Sequence, residues 1–423
     1  MEDFAAAYGD RARAFTERLV RFETTAGDEA PAQEWVRDRL ADLGFETYTW
    51  TADADTLADH PSFAPADDLV SGGRPSVAGV LELGDPDAGR TLVLNGHVDV
   101  VPAGESGWTV DPFEPRWDGA RLVGRGAVDM KSQLATCVFA ARHLADRVEA
   151  GEFDLDGRVV VESVAGEEDG GIGAATAALS NPYPFERDAA IVAEPTDMRV
   201  VTATEGCLMG RIRIEGTPAH AARRWEGESV LPAFESVRQA FADLEAERAE
   251  TVTHPLYDRF ETPWPIVIGR VEAGTWASNV PGTLTAELRV GVAPGESLDR
   301  VEAACRKTLD EAATEESWSV DPPTFERFGV QFASAEIGAD EPVVTALQGA
   351  MAATGLSATD PTGETYGSDA RHYVEAGIPA VVFGPGRIEE AHFPDESIRW
   401  PDVLTAGEAL VGTARRYLAD ERR

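Results

Sequence analysis

Apolar positions recur at helical spacing over residues 11–22 and 31–43, which predicts two amphipathic helices near the start of the chain. A short apolar run at 91–94 reads as a strand ending in Asn95-Gly96-His97. The glycine-rich stretch 124–129 then leads into a helix over 131–148. The runs RVVVES at 158–163 and AAIVA at 189–193 are unbroken rather than alternating, as in parallel strands covered on both faces. A helix opening on glycines, 170–179, lies between them. Strands alternating with helices predict an α/β sheet with helices on both faces. After Glu205 the pattern changes to strand 208–214, helix 229–247, strands 266–271 and 283–292, and helix 297–313. That order predicts a small α+β unit with an antiparallel sheet. From about Phe328 the α/β pattern resumes, with a helix near 341–354, a strand at 380–383 and a helix near 404–417. The expected organisation is one α/β domain over 1–205 and 326–423, interrupted by an inserted α+β domain over 206–325. Residues 52–74, rich in Asp, Ala, Pro and Ser, read as a surface excursion.

Composition narrows the class. At 423 residues the chain exceeds one core and suits two domains of ~100–200 residues. No run of ~18 apolar residues occurs, so a membrane-spanning helix is not expected. The acidic start Met1-Glu2-Asp3 does not read as a secretory signal. Cys137, Cys207 and Cys305 stand far apart and form neither a disulfide framework nor a zinc ribbon, which points to a reducing cytoplasm. Asp plus Glu number 75 against 37 Lys plus Arg, a net charge of -38 that repels nucleic acid and anionic membranes. Lys131 and Lys307 are the only lysines. A carboxylate-covered, lysine-poor fold suits high salt, where the Debye length shrinks to ~3 Å at 1 M and self-repulsion is screened.

Candidate chemistry gathers at predicted strand ends. In His97-Val98-Asp99, the aspartate points to the same side of an extended chain as the histidine and could fix its tautomer. Alone, the triplet equally describes a strand-end histidine beside a solvated acid. Asp129 follows the glycines of GRGAVDMK (124–131) and could instead be a helix N-cap. Glu167 and Glu168 follow the strand at 158–163, where first-turn acids facing a helix dipole are the bland alternative. Glu194 follows AAIVA, and His392 follows Gly384-Pro385-Gly386. Together, four predicted strands lead into ligand-type residues, and sheets of this class bind at the carboxyl ends of their strands. Two imidazoles and three carboxylates suit two borderline divalent ions sharing one bridging carboxylate, zinc first.

These segments carry a resemblance. NGHVDVVPAG (95–104), GRGAVDMK, GEEDGG (166–171), AEPT (193–196), GTPAHAA (216–222), SNVP (278–281), YGSDAR (366–371) and FGPGRIEEAHFPDE (383–396) run in order over most of the chain. The chain resembles the dinuclear metallohydrolase family of acetylornithine deacetylase, succinyl-diaminopimelate desuccinylase, aminoacylase and carboxypeptidase G. The resemblance implies a zinc-peptidase-like α/β catalytic domain with a mixed sheet, interrupted by a ferredoxin-like lid through which the protein dimerises. It implies metal ligands His97, Asp129 (bridging), Glu168, Glu194 and His392 for two divalent ions, zinc or alternatively cobalt or manganese. It makes Glu167 the general base and Asp99 the residue that orients His97. His220 would hold the oxyanion of a partner subunit's site, and Asn279 would assist. Arg289 or Arg371, the latter after Ser368, would bind a substrate carboxylate. The implied substrate is an N-acyl amino acid. A dipeptide or carboxypeptidase substrate is the alternative, and a non-catalytic dimeric binding protein is the reading from another class. Gly166 stands where the family usually has Asp, and Asn279-Val280-Pro281 is one residue tighter than the common N-x-x-P, which bears on the substrate pocket. His60, His143, His254 and His372 match no motif and read as ordinary surface or core residues.

Overall fold

Strands Arg90–His97 and Gly157–Val164 are buried along their whole length, as their unbroken apolar runs require. They pair in parallel with His97 beside Val164, and Arg90–His97 also pairs in parallel with Ala189–Val192, Asn95 beside Val192. The carboxyl ends of all three strands therefore lie level at one edge of the sheet. Ala380–Val382 continues the parallel set next to Ala189–Val192. The computed structural model describes residues 3–58, 60, 62–63, 72–104, 106–314 and 320–419. Within them the sheet has nine strands and is mixed, with Glu46–Thr51, Pro75–Leu83, Val200–Thr204, Ala335–Glu336 and Pro361–Glu364 completing it.

Side chains alternate across this sheet with the two-residue period of a strand. Leu92, Leu94, Val159 and Val161 face one core, covered by helices Phe4–Val20, Ser132–Glu149, Pro342–Ala353 and Trp400–Ala419. Val93, Val160, Ala190 and Val192 face the other, which includes Ala370 and Tyr373 of helix Ala370–Glu375. The α/β class with helices on both faces is thus observed.

A second, antiparallel sheet of four strands is drawn from the middle of the chain. Its spatial order is Ile266–Ala273, Thr283–Val292, Gly206–Glu215, Thr324–Arg327. Helices Leu231–Thr251 and Leu298–Ala312 bury Val237, Phe241, Val301, Cys305 and Leu309 against it. Strand–helix–strand–strand–helix–strand with this order is the ferredoxin-like arrangement. Met1-Glu2 of the acidic start and residues 59, 61 and 64–71 of the 52–74 excursion lie outside the described residues, and the described part of the latter contains a short helix, Ala54–Ala58. Among the described residues, no helix is long and apolar enough to cross a membrane.

Candidate metal centre

Three level strand ends and two glycine turns build the centre. His97 is the last residue of its strand, the loop carrying Glu167 and Glu168 follows Val164, and Glu194 lies two residues beyond Val192. Gly126 has φ +80°, and a Cβ there would stand 2.8 Å from Lys131 and Val100, so the turn delivering Asp129 requires glycine. Gly166 has φ +75°, and a Cβ there would meet Ile172 at 2.4 Å. The departure from aspartate at this position therefore belongs to a turn that only glycine fits comfortably. His392 itself takes a left-handed backbone, φ 62°.

The side chains converge. His97 Nε2 lies 3.1 Å from Asp129 Oδ1 and 3.9 Å from Glu194 Oε1. His392 Nε2 lies 3.1 Å from Glu168 Oε1 and 3.4 Å from Asp129 Oδ2. Asp129 thus stands between the two imidazoles with one oxygen toward each. Ligand-type atoms of His97, Glu167 and Glu194 lie within 4.8 Å of one another, as do those of His97, Asp129 and Glu168. Neither bland alternative applies. The helix Ser132–Glu149 has no side-chain cap, and the helix Ile172–Leu179 has no acid in its first turn.

Asp99 acts differently from the simple expectation. His97 Nδ1 lies 2.9 Å from the main-chain carbonyl of Asp99, while the carboxylate is 3.7 Å away. A carbonyl only accepts, so Nδ1 carries a proton, and Nε2 is the nitrogen turned to the cluster, where a bound cation would take the place of its proton. The Asp99 carboxylate instead accepts the N–H groups of Gly166 (2.8 Å), Glu167 (3.3 Å) and Glu168 (3.1 Å). It therefore shapes the loop that carries both glutamates.

Burial drives Glu167 well above the usual carboxylate range, with Glu194 and Asp369 adding to it. Glu194 is also driven well up, by burial and then by Asp129. Burial raises Glu168 against the hydrogen bond from His392. Burial also pushes on Asp129, but hydrogen bonds from His392 and His97 hold it below its usual range. Hydrogen bonds to Asp129 and then Glu168 lift His392 to about 10. Burial pulls His97 down, yet the bond to Asp129 and the charges of Asp99 and Glu194 carry it well above its ordinary value. So many buried carboxylates ionise together only beside added positive charge. Two divalent ions would provide that charge, and imidazole plus carboxylate is a donor set borderline metals take. The residues fit the pair of ions.

A cavity of ≈ 270 Å³ opens over the cluster, lined by Asp129, Glu167, Glu168, Glu194 and His392 together with Cys207, Arg289, Phe332, Tyr366, Gly367 and Ile388. Of the remaining expected site residues, only Arg289 lies on its wall. His220 and Asn279 pair with each other on an exposed two-stranded ribbon and do not line this cavity. Ser368 and Arg371 are buried, and Arg371 donates to the carbonyls of Ser368 (3.3 Å) and Gly170 (2.5 Å) under the ring of Phe332. Its guanidinium is committed to the fold. Sequence reasoning passed over Tyr366, Asp369 and Glu396, although each lies inside a quoted motif, and over Glu205 beneath Arg289.

The family model described as peptidase family M20/M25/M40 matches residues 93–416. An N-formyl-4-amino-5-aminomethyl-2-methylpyrimidine deformylase of Bacillus subtilis (strain 168) is 26% identical over 90% of this chain and 88% of its own length. An acetylornithine deacetylase of Proteus mirabilis (strain HI4320) is 27% identical over 73% of this chain and 74% of its own. The structure of the dipeptidase Dug1p from Saccharomyces cerevisiae superposes with a TM-score of 0.76 at 15% identity, covering 99% of this chain and 98% of the other.

Proposed function

Because the chain belongs to peptidase family M20/M25/M40, and so is a metallohydrolase acting on amides, we propose that it removes an acyl group from the nitrogen of an amino acid, as an acetylornithine deacetylase or succinyl-diaminopimelate desuccinylase does. In this reading His97 and Glu194 would hold one divalent ion, His392 and Glu168 the other, and Asp129 would serve both. Zinc is the first choice, with cobalt and manganese as alternatives. Ions held by these residues would supply a lowered pKa for a water and polarisation of the scissile carbonyl. Glu167 takes the proton of the attacking water and passes it to the leaving nitrogen. The Nδ1 proton of His97, held on the Asp99 carbonyl, keeps Nε2 directed at the centre. Arg289, on the cavity wall and held by Glu205 and the Thr365 carbonyl, presents its remaining N–H groups to a substrate carboxylate. We assign residues 206–325 to an inserted domain through which the protein dimerises, and from there His220 and Asn279 reach the partner's site to hold the oxyanion.

The observation that carries this reading is Asp129, one oxygen toward each of two imidazoles, with Glu167 on the same cavity wall. A cavity of ≈ 270 Å³ matches a small substrate, below the ~300–1,000 Å³ usual for drug-sized ligands. The similarity to the deformylase, over 90% of the chain, favours a second reading in which a formyl group leaves an aminopyrimidine. The test is a panel of N-acetyl amino acids, succinyl-diaminopimelate, dipeptides and a formylaminomethylpyrimidine, at low and molar salt with zinc, cobalt or manganese. Cleavage confined to dipeptides, or to the formyl amide, replaces the deacylase reading. In the same assay Glu167→Gln keeps its metal and loses about 10²–10⁴ in kcat. Turnover by this variant at the wild-type rate refutes the base assignment.

A further inference from the structure

We propose that His60, His372 and Glu375 form a separate site for one borderline divalent cation, zinc or a neighbour such as nickel or copper. The site goes beyond the hydrolytic reading, since none of the three lines the catalytic cavity. One ligand-type atom from each residue lies within 4.8 Å of the other two. They come from two parts of the chain: His60 from the stretch after the helix Ala54–Ala58, and His372 and Glu375 from the helix Ala370–Glu375.

The donors are of the right kind and are held in place. His372 is buried, and its Nε2 lies 3.0 Å from the carbonyl of Gly170. Since a carbonyl only accepts, Nε2 carries the proton and the other ring nitrogen keeps a free lone pair. A ligating histidine is commonly held by its other N–H in this way. Burial pushes His372 well below its ordinary pKa, so the ring stays neutral, as a ligand must. Phe63 stacks on His372 at 5.9 Å and 10°, and the His60 ring stands edge-on to it at 5.9 Å, so both imidazoles are packed. His60 Nε2 lies 3.0 Å from Glu375 Oε2, with the His60 side chain 8% exposed and that of Glu375 52% exposed. The carboxylate therefore opens the site to solvent.

When a cation enters between His60 and Glu375, the Nε2 proton of His60 moves to Nδ1. The 3.2 Å contact from the Ser62 N–H is given up, and the ring stays neutral. Two imidazoles and one carboxylate leave a fourth position for water in a tetrahedral ion. The Irving–Williams order favours the later divalent metals over magnesium or calcium at such donors. Gly170, which both Arg371 and His372 hold through its carbonyl, is three residues from Glu167. The bound cation would therefore tie His60 to the helix that braces the catalytic loop.

The experiment counts metal. Wild-type protein, Glu375→Gln and His60→Ala are saturated with zinc, freed of excess by gel filtration and analysed by elemental mass spectrometry. The wild type is expected to hold one zinc per chain more than either variant, whatever number the catalytic centre holds. Failure of the catalytic reading changes the number common to all three proteins; failure of this inference removes the difference. Glu375 is half exposed, so its substitution leaves the fold intact, and the variants should retain basal turnover. Cobalt titration gives a second readout, a visible absorption component present in the wild type and missing in both variants. Equal zinc content in wild type and Glu375→Gln overturns the proposal.

Discussion

Glu205 is buried beneath Arg289, whose Nη1 lies 3.1 Å from Oε1 while Nη2 donates to the Thr365 carbonyl at 3.2 Å. Gly291 makes room for the carboxylate, since a Cβ there would stand 2.2 Å from Oε1. The other oxygen, Oε2, has no hydrogen-bond partner among the described residues. Burial pushes Glu205 up to about 8, against the opposing charges of Arg289 and Arg248. In the unfolded chain the same group ionises near its ordinary value of 4.5. Between these values the folded chain keeps a proton that the unfolded chain has released. Its contribution to stability is therefore full below the unfolded value and is lost as pH rises through the folded one. Glu205→Gln keeps the shape and removes the titration. Denaturant unfolding at fixed salt and metal from pH 5 to pH 9 should show the wild type losing roughly 1–4 kcal/mol relative to the variant, at ~1.4 kcal/mol per pKa unit. Parallel profiles would show that the carboxylate is already ionised in the native state.

Loops, rather than single side chains, decide whether the proposed ligands meet, and a buried carboxylate outside the donor set fastens two of them. Glu396 Oε1 accepts the N–H groups of Val128 (2.9 Å) and Asp129 (3.2 Å), and Oε2 accepts Arg125 Nη1 at 2.6 Å. His392 lies four residues earlier on the same loop, so one residue joins the turn bearing Asp129 to the turn bearing His392. Glu396→Gln leaves one partner with the wrong hydrogen-bonding group. Competition with a chelator should then show metal affinity falling about 10–100-fold, the usual cost of losing such a support. Unchanged affinity would mean that the ligands are fixed by packing alone. These supports were not legible in the sequence, for a physical reason. Glu396 and Asp129 are 267 residues apart, and no periodicity records a hydrogen bond of that range. His97, Glu168 and Glu194 were legible because each sits at or just past the end of an apolar strand, and Asp129 and His392 because each follows a glycine-bearing turn. Pro75–Leu83 escaped because Pro75 and Gly79 interrupt its apolar run, although Gly79 is where Phe45 packs, a Cβ there meeting the ring at 2.8 Å. Helix Ala370–Glu375, at six residues, is too short to show a period.

At the scale of the molecule, 75 acidic against 37 basic side chains must be carried on a folded surface. Many arginines are already paired at that surface, as in Arg39–Asp42, Arg306–Glu302 and Arg399–Asp402. Such surface pairs are worth little individually, and even with every basic residue paired the whole net charge of -38 remains. Repulsion among those charges favours the expanded chain over the compact one, and salt removes it. The melting temperature should therefore rise by roughly 10 °C or more between 0.1 and 2 M KCl. The rise should flatten above roughly 1 M, where the Debye length is ~3 Å. A stabiliser acting by exclusion from the surface, such as sucrose, would give no such plateau. The same field has an opposite effect on loading the centre. A cavity floored by Asp129, Glu167, Glu168 and Glu194 in an acidic molecule concentrates divalent cations at low salt, and screening weakens that attraction. Stopped-flow metal uptake by the apoprotein should slow over the same salt range in which the fold becomes more stable. If both quantities were flat in KCl, the acidic surface would not adapt the protein to salt. If uptake slowed while stability stayed flat, the charge would serve the metal centre and not the fold.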